Sequence, residues 1–590
     1  MTSQAPWHER SAPLAGLLLL GALLLFARSP GTGFVYDEQE AILASPYLKG
    51  ELPWLDAFRL DFWGLSAERT IGSYRPLPNL LWRPLAWTLR WQTPFFLQLL
   101  GPVLHASTAF LVYLFLRRHL RGAAPLLGAG FLLTLGITTE AVVSVVGQAD
   151  LLVGLWTVLG LLALDLRWGL REAAIFGATL LGLLSKETML SALPLLWLAP
   201  FLLPRPEEGR LARTGRALSA LTMSAASVLV LVLVRRALFL HGVVPVAPEL
   251  TVPSSWLDTL VRLFEQPRLP VDPQNNPLLT AAPALRVPTA LAIYAESFGQ
   301  MLLPTHLTAD YSFPRELPRG WTPGAVLGAL GLLVPLGLGL VRLLRSLLPG
   351  VSRPEGANPG GLLTLGLLWT PLTYLPVSNL FVLLPTIRAE RLLYLPAIGL
   401  CVLVAALWPR VEQRRWARVA LALSVTISAV QARAHALDYE SDVAFWRATA
   451  KGNPGSAKAH LNLGVMLGAR GDAAGRIAAT RRSVELAPKW PMAHVYLGDA
   501  LCRAGRAREG IPHYVRGFEL EPDHKETAAL ALQCLWQAGE FEHARPELQR
   551  AAAADPNGWL GFLLREVSLH GAENGGVPKA YRPRGYNETK

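Results

Sequence analysis

The chain has 590 residues, of which 52% are hydrophobic and 17% charged, with a formal net charge of +12 and a mean hydropathy of +0.32. A water-soluble protein of this length carries more charge, so the composition excludes a wholly soluble globular class and points to a chain embedded in a bilayer. The positive charge does not indicate nucleic acid, because the arginines and lysines are scattered between apolar runs and form no basic stripe.

The first apolar run, 12–28, is followed by no small-x-small cleavage site and reads as a retained membrane helix. Immediately after it comes Gly33-Phe34-Val35-Tyr36-Asp37-Glu38-Gln39-Glu40, which sets two adjacent carboxylates beside a membrane surface. Charge is costly there, and the pKa of such a group is open to tuning, so Asp37 and Glu38 are candidates for chemistry. A solvated loop clamping a helix end is the plainer alternative.

Ten further apolar runs follow, near 94–116, 123–139, 145–166, 172–185, 188–203, 217–240, 322–343, 361–384, 392–409 and 415–432, which makes about eleven spans. Arginines gather in every second connection: Arg117, Arg118 and Arg121, then Arg167 and Arg171, then Arg205, Arg210, Arg213 and Arg216, then Arg342, Arg345 and Arg353, then Arg410, Arg414, Arg415 and Arg418. Positive connections stay on the cytoplasmic side, so the loop holding Asp37 and the C-terminal tail are expected on the opposite face. Counting 288–304 as a twelfth span would invert every later loop, and it reads instead as a re-entrant or interfacial helix. The external loops are then 29–93 and 242–321, the second with a Pro-rich cap over 242–287.

Polar groups of unusual character collect at that same face. They are Ser73-Tyr74-Arg75-Pro76-Leu77, Thr139-Glu140, Gln148-Ala149-Asp150, Ser185-Lys186-Glu187, Asp310-Tyr311-Ser312, and Ala389-Glu390-Arg391 with Leu393-Tyr394-Leu395-Pro396. Any one of them could be an ion pair locking two helices; together they read as a site for a charged, lipid-linked ligand.

Beyond the membrane core, 1–435, Pro454, Pro488, Pro522 and Pro556 recur every 34 residues, and Gly464 and Gly498, Leu463 and Leu497, and Leu467, Leu501 and Leu535 keep the same interval. That period is the mark of tetratricopeptide helix hairpins, with repeats over 457–490, 491–524 and 525–558 inside a domain spanning 436–572. Such hairpins bury their apolar faces by stacking into an array with a peptide-binding concave side. The tail 573–590 is Gly, Pro and charge, and is expected to be disordered. The fold class is therefore all-α, a polytopic helical core followed by an α-solenoid. Cys401, Cys502 and Cys534 have no CxxC spacing, and neither a zinc site nor a disulfide framework is expected from them.

With these motifs in order, the sequence resembles the transmembrane and tetratricopeptide-repeat-containing O-mannosyltransferases, GT-C glycosyltransferases that use lipid-phosphate sugars. Tyr36-Asp37-Glu38 resembles the family's acidic first loop, Ser73 to Leu77 its SYRPL segment, and Thr139-Glu140-Ala141-Val142 with Gly147-Gln148-Ala149-Asp150 its TEAV and GRAD pair. Ser185-Lys186-Glu187, Asp310-Tyr311-Ser312, Ala389-Glu390-Arg391 and the opening of the repeats, Ala457 to Gly464, fall in the family's sequence order. The chain departs from the pattern at Glu38, where a second Asp is usual, at Leu135 and Thr138, where two His are usual, and at Gln148, where an Arg is usual.

The resemblance implies a polyprenyl-phosphate-linked sugar as donor, mannose in the family, and a Ser or Thr hydroxyl as acceptor. A hydroxyl is a poor nucleophile at neutral pH, whereas a polyprenyl phosphate leaves without protonation. Asp37 is assigned as the base of a single inverting displacement, with Glu38 orienting the acceptor or tuning Asp37. Arg391 is the first choice to clamp the phosphate, with Arg75 and Lys186 as alternatives and Glu390 and Tyr394 positioning that arginine and the sugar. Glu140, Asp150 and Asp310 complete the expected lipid-phosphate and sugar site. No metal is assigned, because the acidic loop lacks a full ligand set. The repeats would hold the acceptor polypeptide. Two other readings stay open: a transferase acting on a glycolipid or polysaccharide, and a membrane-anchored scaffold without catalysis. Arginine far outnumbers lysine, which suggests a GC-rich genome and hence a bacterial inner membrane facing the periplasm, the eukaryotic equivalent being the lumen of the endoplasmic reticulum.

Overall fold

A computed structural model describes residues 11–66, 73–86, 94–205, 208–239, 272–314, 317–347 and 358–582. Residues 242–271 of the Pro-rich cap, Arg353 and the last part of the tail, 583–590, lie outside them. Among the described residues there is no strand, as an all-α chain requires. The chain forms two compact units, one comprising 1–272, 278–309 and 318–442, the other 273–277, 310–317 and 443–590. The short segments 273–277 and 310–317, read from sequence as part of a loop of the membrane core, thus cluster with the C-terminal unit.

In the first unit the helices are α1 (Ser11–Phe26), α2 (Pro76–Ala86), α3 (Phe95–Arg117), α4 (Ala124–Thr134), α5 (Thr139–Val143), α6 (Gln148–Ala163) and α7 (Leu170–Ser185). They continue with α8 (Leu193–Leu202), α9 (Arg210–Phe239), α10 (Pro283–Leu302), α11 (Pro323–Leu347), α12 (Pro359–Tyr374), α13 (Tyr394–Val411) and α14 (Arg415–Leu437). Among the described residues, six segments are long and apolar enough to cross a bilayer: Phe95–Arg117, Arg210–Arg235, Pro323–Leu347, Pro359–Val377, Glu390–Val411 and Arg415–Glu440. Ala124–Thr134 with Gly136–Val143 makes a seventh if this pair, bent by 52°, is one span. A hydrocarbon layer of about 30 Å takes roughly 20 helical residues, and Ala12–Phe26, Gln148–Ala163 and Glu187–Leu202 are shorter than that. The chain is a multi-pass membrane protein. Leu327, Leu330, Leu333 and Leu344 on α11 are exposed, and only 22% of its apolar window is covered by protein, as suits a helix whose outer face meets lipid.

Small residues set how closely these helices approach. A Cβ at Gly101 of α3 would overlap the carbonyl oxygen of Val142 on α5, and a Cβ at Gly328 of α11 would overlap that of Leu291 on α10. The segment read as re-entrant or interfacial is α10, one continuous helix of 20 residues packed on α11 through that contact.

The second unit is built of helix pairs. After α15 (Asp442–Gly452) come α16 (Ala457–Ala469) with α17 (Ala473–Leu486), α18 (Pro491–Arg503) with α19 (Ala507–Leu520), and α20 (Lys525–Gln537) with α21 (Phe541–Ala552), closed by α22 (Trp559–Asn574). Gly471, Gly505 and Gly539 occupy the turn inside each pair with φ of 81°, 77° and 70°, a backbone conformation that favours glycine. Gly464 and Gly498 recur for a different reason: a Cβ there would come within 2.7 Å of Thr480 Cγ2 and 2.9 Å of the Tyr514 ring on the partner helix. Ser456 and Asp472 cap α16 and α17 by accepting from the amides of Ala459 and Gly475. Tyr514, Phe518, Leu532, Leu535 and Leu548 share one core across the last two pairs. Cys502 on α18 and Cys534 on α20 are joined in a disulfide, contrary to the sequence expectation. Their separation of 32 residues carries no motif; the bond exists because stacking brings the two Cα atoms to 6.4 Å.

Candidate active site

The acidic loop is shaped by what pins it. Two residues past α1, the guanidinium of Arg28 donates from Nη1 to both oxygens of Glu38 at 3.2 and 3.3 Å and from Nη2 to the carbonyl of Gly33 at 2.7 Å. Glu38 also accepts from the amides of Val35 and Val145, each at 2.8 Å, and this ion pair is 1% exposed on either side. Glu38 is therefore a buried pin tying the loop to the connection between α5 and α6. On the other flank Tyr36 adopts φ 53° and its amide donates to Asp442 Oδ1 at 3.3 Å, while the Gln39 amide group donates to Asp442 Oδ2 at 2.6 Å. Between these two pins Asp37 is presented, with 22% of its side chain exposed.

Asp37 faces Arg391, which sits in the 3₁₀ turn Glu390–Leu393 at the head of α13. Arg391 Nη2 lies 3.4 Å from Asp37 Oδ2, and Nη1 lies 2.8 Å from Glu140 Oε1. The other oxygen of Glu140 accepts the backbone amide of Arg391 at 2.9 Å, so Glu140 holds both the side chain and the main chain of this residue. Glu140 is carried by α5, which the missing Cβ of Gly101 allows to seat against α3.

Two further pairs complete the charged cluster. Lys186 Nζ contacts both oxygens of Asp150 at 2.7 and 2.8 Å, and Arg75 meets Glu187 through two parallel hydrogen bonds of 2.9 and 3.0 Å. Arg75 also lies over the Phe62 ring, 5.2 Å from its centre. Burial lowers the pKa of Lys186, Asp150 opposes that fall, and the charges of Arg75 and Arg391 add to it, so the three cations share one electrostatic neighbourhood. Burial also acts to lower Arg75, but Glu187 outweighs it and the pKa is raised. Exposure of the cationic side chains is 23% for Arg391, 15% for Arg75 and 7% for Lys186, which makes Arg391 the most accessible of the three.

Asp37, Glu140, Arg391, Asp150, Lys186 and Arg75 thus come together. The other sequence-assigned residues do different work. Glu38 is buried and engaged by Arg28 and two backbone amides. Glu390 turns away from Arg391 into the core, where it accepts the Thr308 amide at 2.7 Å and meets His435 Nε2 at 3.4 Å. Tyr394 is buried on α13 with its hydroxyl 2.9 Å from His105 Nδ1. Asp310 belongs to the second unit, where its carboxylate accepts from Ser312 at 2.7 Å and from Ser456. Gln148, the departure from GRAD, is buried between Trp82 Nε1 at 2.8 Å and the carbonyl of Leu97 at 2.7 Å. Thr138 donates to the carbonyl of Leu135, which is itself buried.

The residues the sequence did not assign are Arg28, Glu187, His435 and Asp442. The signal for Arg28 was present, a lone cation two residues past the first helix and ten before Glu38; nothing local marks Asp442 or His435 as partners of distant loops. Among the described residues, no three His, Cys, Asp or Glu side chains are grouped to hold a metal ion. What the cluster offers is a partly exposed carboxylate that can accept a proton beside a fixed guanidinium that can receive an oxyanion.

No protein-family model matches the chain. It is 28% identical over 536 residues to the protein O-mannosyl-transferase Tmtc1 of Drosophila melanogaster, an alignment covering 79% of this chain and 60% of that protein. It is 26% identical over 522 residues to the protein O-mannosyl-transferase TMTC3 of Mus musculus, covering 83% of this chain and 53% of that one. The human protein O-mannosyl-transferase TMTC4 is 26% identical over 511 residues, covering 78% of this chain and 65% of that protein. The chain spans less than two thirds of the length of each of these curated relatives.

Proposed function

We propose that this chain, a TMTC-type protein on similarity that runs over most of its length, is a membrane glycosyltransferase. It moves a sugar, mannose on the names of its relatives, from a polyprenyl-phosphate donor to a Ser or Thr hydroxyl of a protein acceptor. Asp37 accepts the hydroxyl proton as the oxygen attacks the anomeric carbon; the bond from that carbon to the phosphate oxygen breaks, and the phosphate leaves with the electron pair. One displacement inverts the configuration at that carbon. Arg391 receives the negative charge of the departing phosphate, and Lys186 and Arg75 add positive potential in a poorly hydrated cleft where such charge stabilisation is strong.

The observation that carries this reading is the placement of Arg391, fixed by the buried Glu140 at 2.8 Å yet open toward Asp37 at 3.4 Å. The 34-residue period and its helix pairs support tetratricopeptide hairpins as the holder of the acceptor polypeptide. A cleft of about 890 Å³ in that unit, beside the turns at Gly471 and Gly505 and lined by Arg476, Arg503, Glu509 and Glu540 together with small residues, supports the same role. The basic connections between spans and the Cys502–Cys534 disulfide support a non-cytoplasmic site, periplasmic in a bacterium, since such bonds persist in oxidising compartments.

The test is incubation of the purified full chain with polyprenyl-phosphate mannose and Ser/Thr-containing peptides, read by mass spectrometry. One hexose is expected on Ser or Thr and none on peptides with Ala at those positions. Sugar appearing only on an added glycolipid, or on no acceptor with any donor, contradicts the proposal.

A further inference from the structure

Arg391 carries one positive charge and contacts two carboxylates, whereas Lys186 and Arg75 are each matched by one, Asp150 and Glu187. A donor phosphate is itself an anion and needs a free N–H edge of the guanidinium. The two carboxylates on Arg391 are unequal. Glu140 uses both oxygens, at 2.8 Å to Nη1 and 2.9 Å to the backbone amide, and its side chain is 4% exposed. Asp37 uses one oxygen at 3.4 Å and is 22% exposed. The longer, single, more solvated contact is the weaker one. Oδ2 of Asp37 is turned onto Nη2 of Arg391 in the arrangement observed, so that carboxylate is engaged by the guanidinium rather than free for an acceptor hydroxyl.

We infer that the phosphate of the lipid-linked donor replaces Asp37 on Nη2 of Arg391 while Glu140 stays in place. This inference rests on the function proposed above. Donor binding and release of the base are then one event, and a chain without donor holds Asp37 against Arg391. Asp37 competes with the ligand that it later helps to consume. Its removal therefore strengthens the binding of a lipid phosphate while it abolishes transfer, a combination that neither a purely structural residue nor an ordinary substrate contact produces. Glu140 acts in the opposite sense, as a positioning residue whose loss frees Arg391 to move.

The test is equilibrium binding of sugar-free polyprenyl phosphate to the purified full chain in nanodiscs, with thermal unfolding recorded for each variant. Asp37→Asn and Asp37→Ser are each expected to tighten binding about two- to fivefold, the scale of a partly exposed ion pair. The gain is expected to vanish in combination with Arg391→Lys, which keeps a cation for Glu140 but loses the second edge of the fork. Glu140→Gln is expected to weaken binding. Unchanged or weaker binding by both Asp37 variants, or a gain that survives Arg391→Lys, overturns the inference. If the unaltered chain binds the lipid and Asp37 makes no difference, only this inference falls; if neither the unaltered chain nor any variant binds it, the proposed function falls with it.

Discussion

Asp37 and Glu38 are neighbours of nearly the same chemistry, yet the backbone sends one carboxylate inward to Arg28 and leaves the other facing Arg391. The left-handed turn at Tyr36 and the two contacts of Asp442 produce that division, because they fix which way the loop faces. A buried ion pair of this kind is expensive to break from one side, since the surviving charge is left without a partner away from water. Arg28→Met is accordingly expected to destabilise the purified protein by about 3–5 kcal/mol, and Arg28→Met with Glu38→Leu together by clearly less. Thermal unfolding in detergent reads both, and a single variant that melts like the unaltered protein contradicts the pin. Adjacent residues diverge again at Glu390 and Arg391, one turned to His435 and the other to Asp37. Sequence reading marked all four positions as charged groups near one surface. It could not divide them, because which side of a short turn meets the core depends on helices from elsewhere in the chain.

At the scale of elements, the apolar runs and the 34-residue interval were legible because each reflects a repeated local requirement. Membrane helices need a long apolar stretch, each hairpin has a glycine in its turn, and the first two have another where their helices touch. The pairing of elements was not legible. Tyr394 follows Arg391 by three positions and was assigned to the same site, but the helix it opens directs it into the bundle beside His105. The short α5, which carries Glu140, depends on close approach to α3 at Gly101. Gly101→Ala is expected to cost about 1–3 kcal/mol and to reduce transfer activity by shifting Glu140. Gly130→Ala on α4, where a Cβ meets nothing within 4 Å, serves as the control and is expected to be near neutral. Equal melting temperatures for the two variants would show that the contact at Gly101 does not matter.

For the whole molecule, the proposed function joins chemistry in the membrane unit and acceptor binding by the helix pairs on one chain, so that tethering raises the local concentration of acceptor. It also requires an oxidising surrounding for the second unit. In intact cells Cys502 and Cys534 are expected to resist a maleimide until a reductant is added, and free labelling without reductant contradicts the non-cytoplasmic assignment. The central claim is that Asp37 is the base of a single displacement assisted by Arg391. The most direct measurement is the turnover number of Asp37→Asn beside that of the unaltered chain, with the anomeric configuration of the product read by NMR. A loss of about 100- to 10,000-fold with folding retained is expected, and inversion relative to the donor in the product of the unaltered chain. Undiminished turnover by Asp37→Asn, or a product that keeps the donor's configuration, would contradict it.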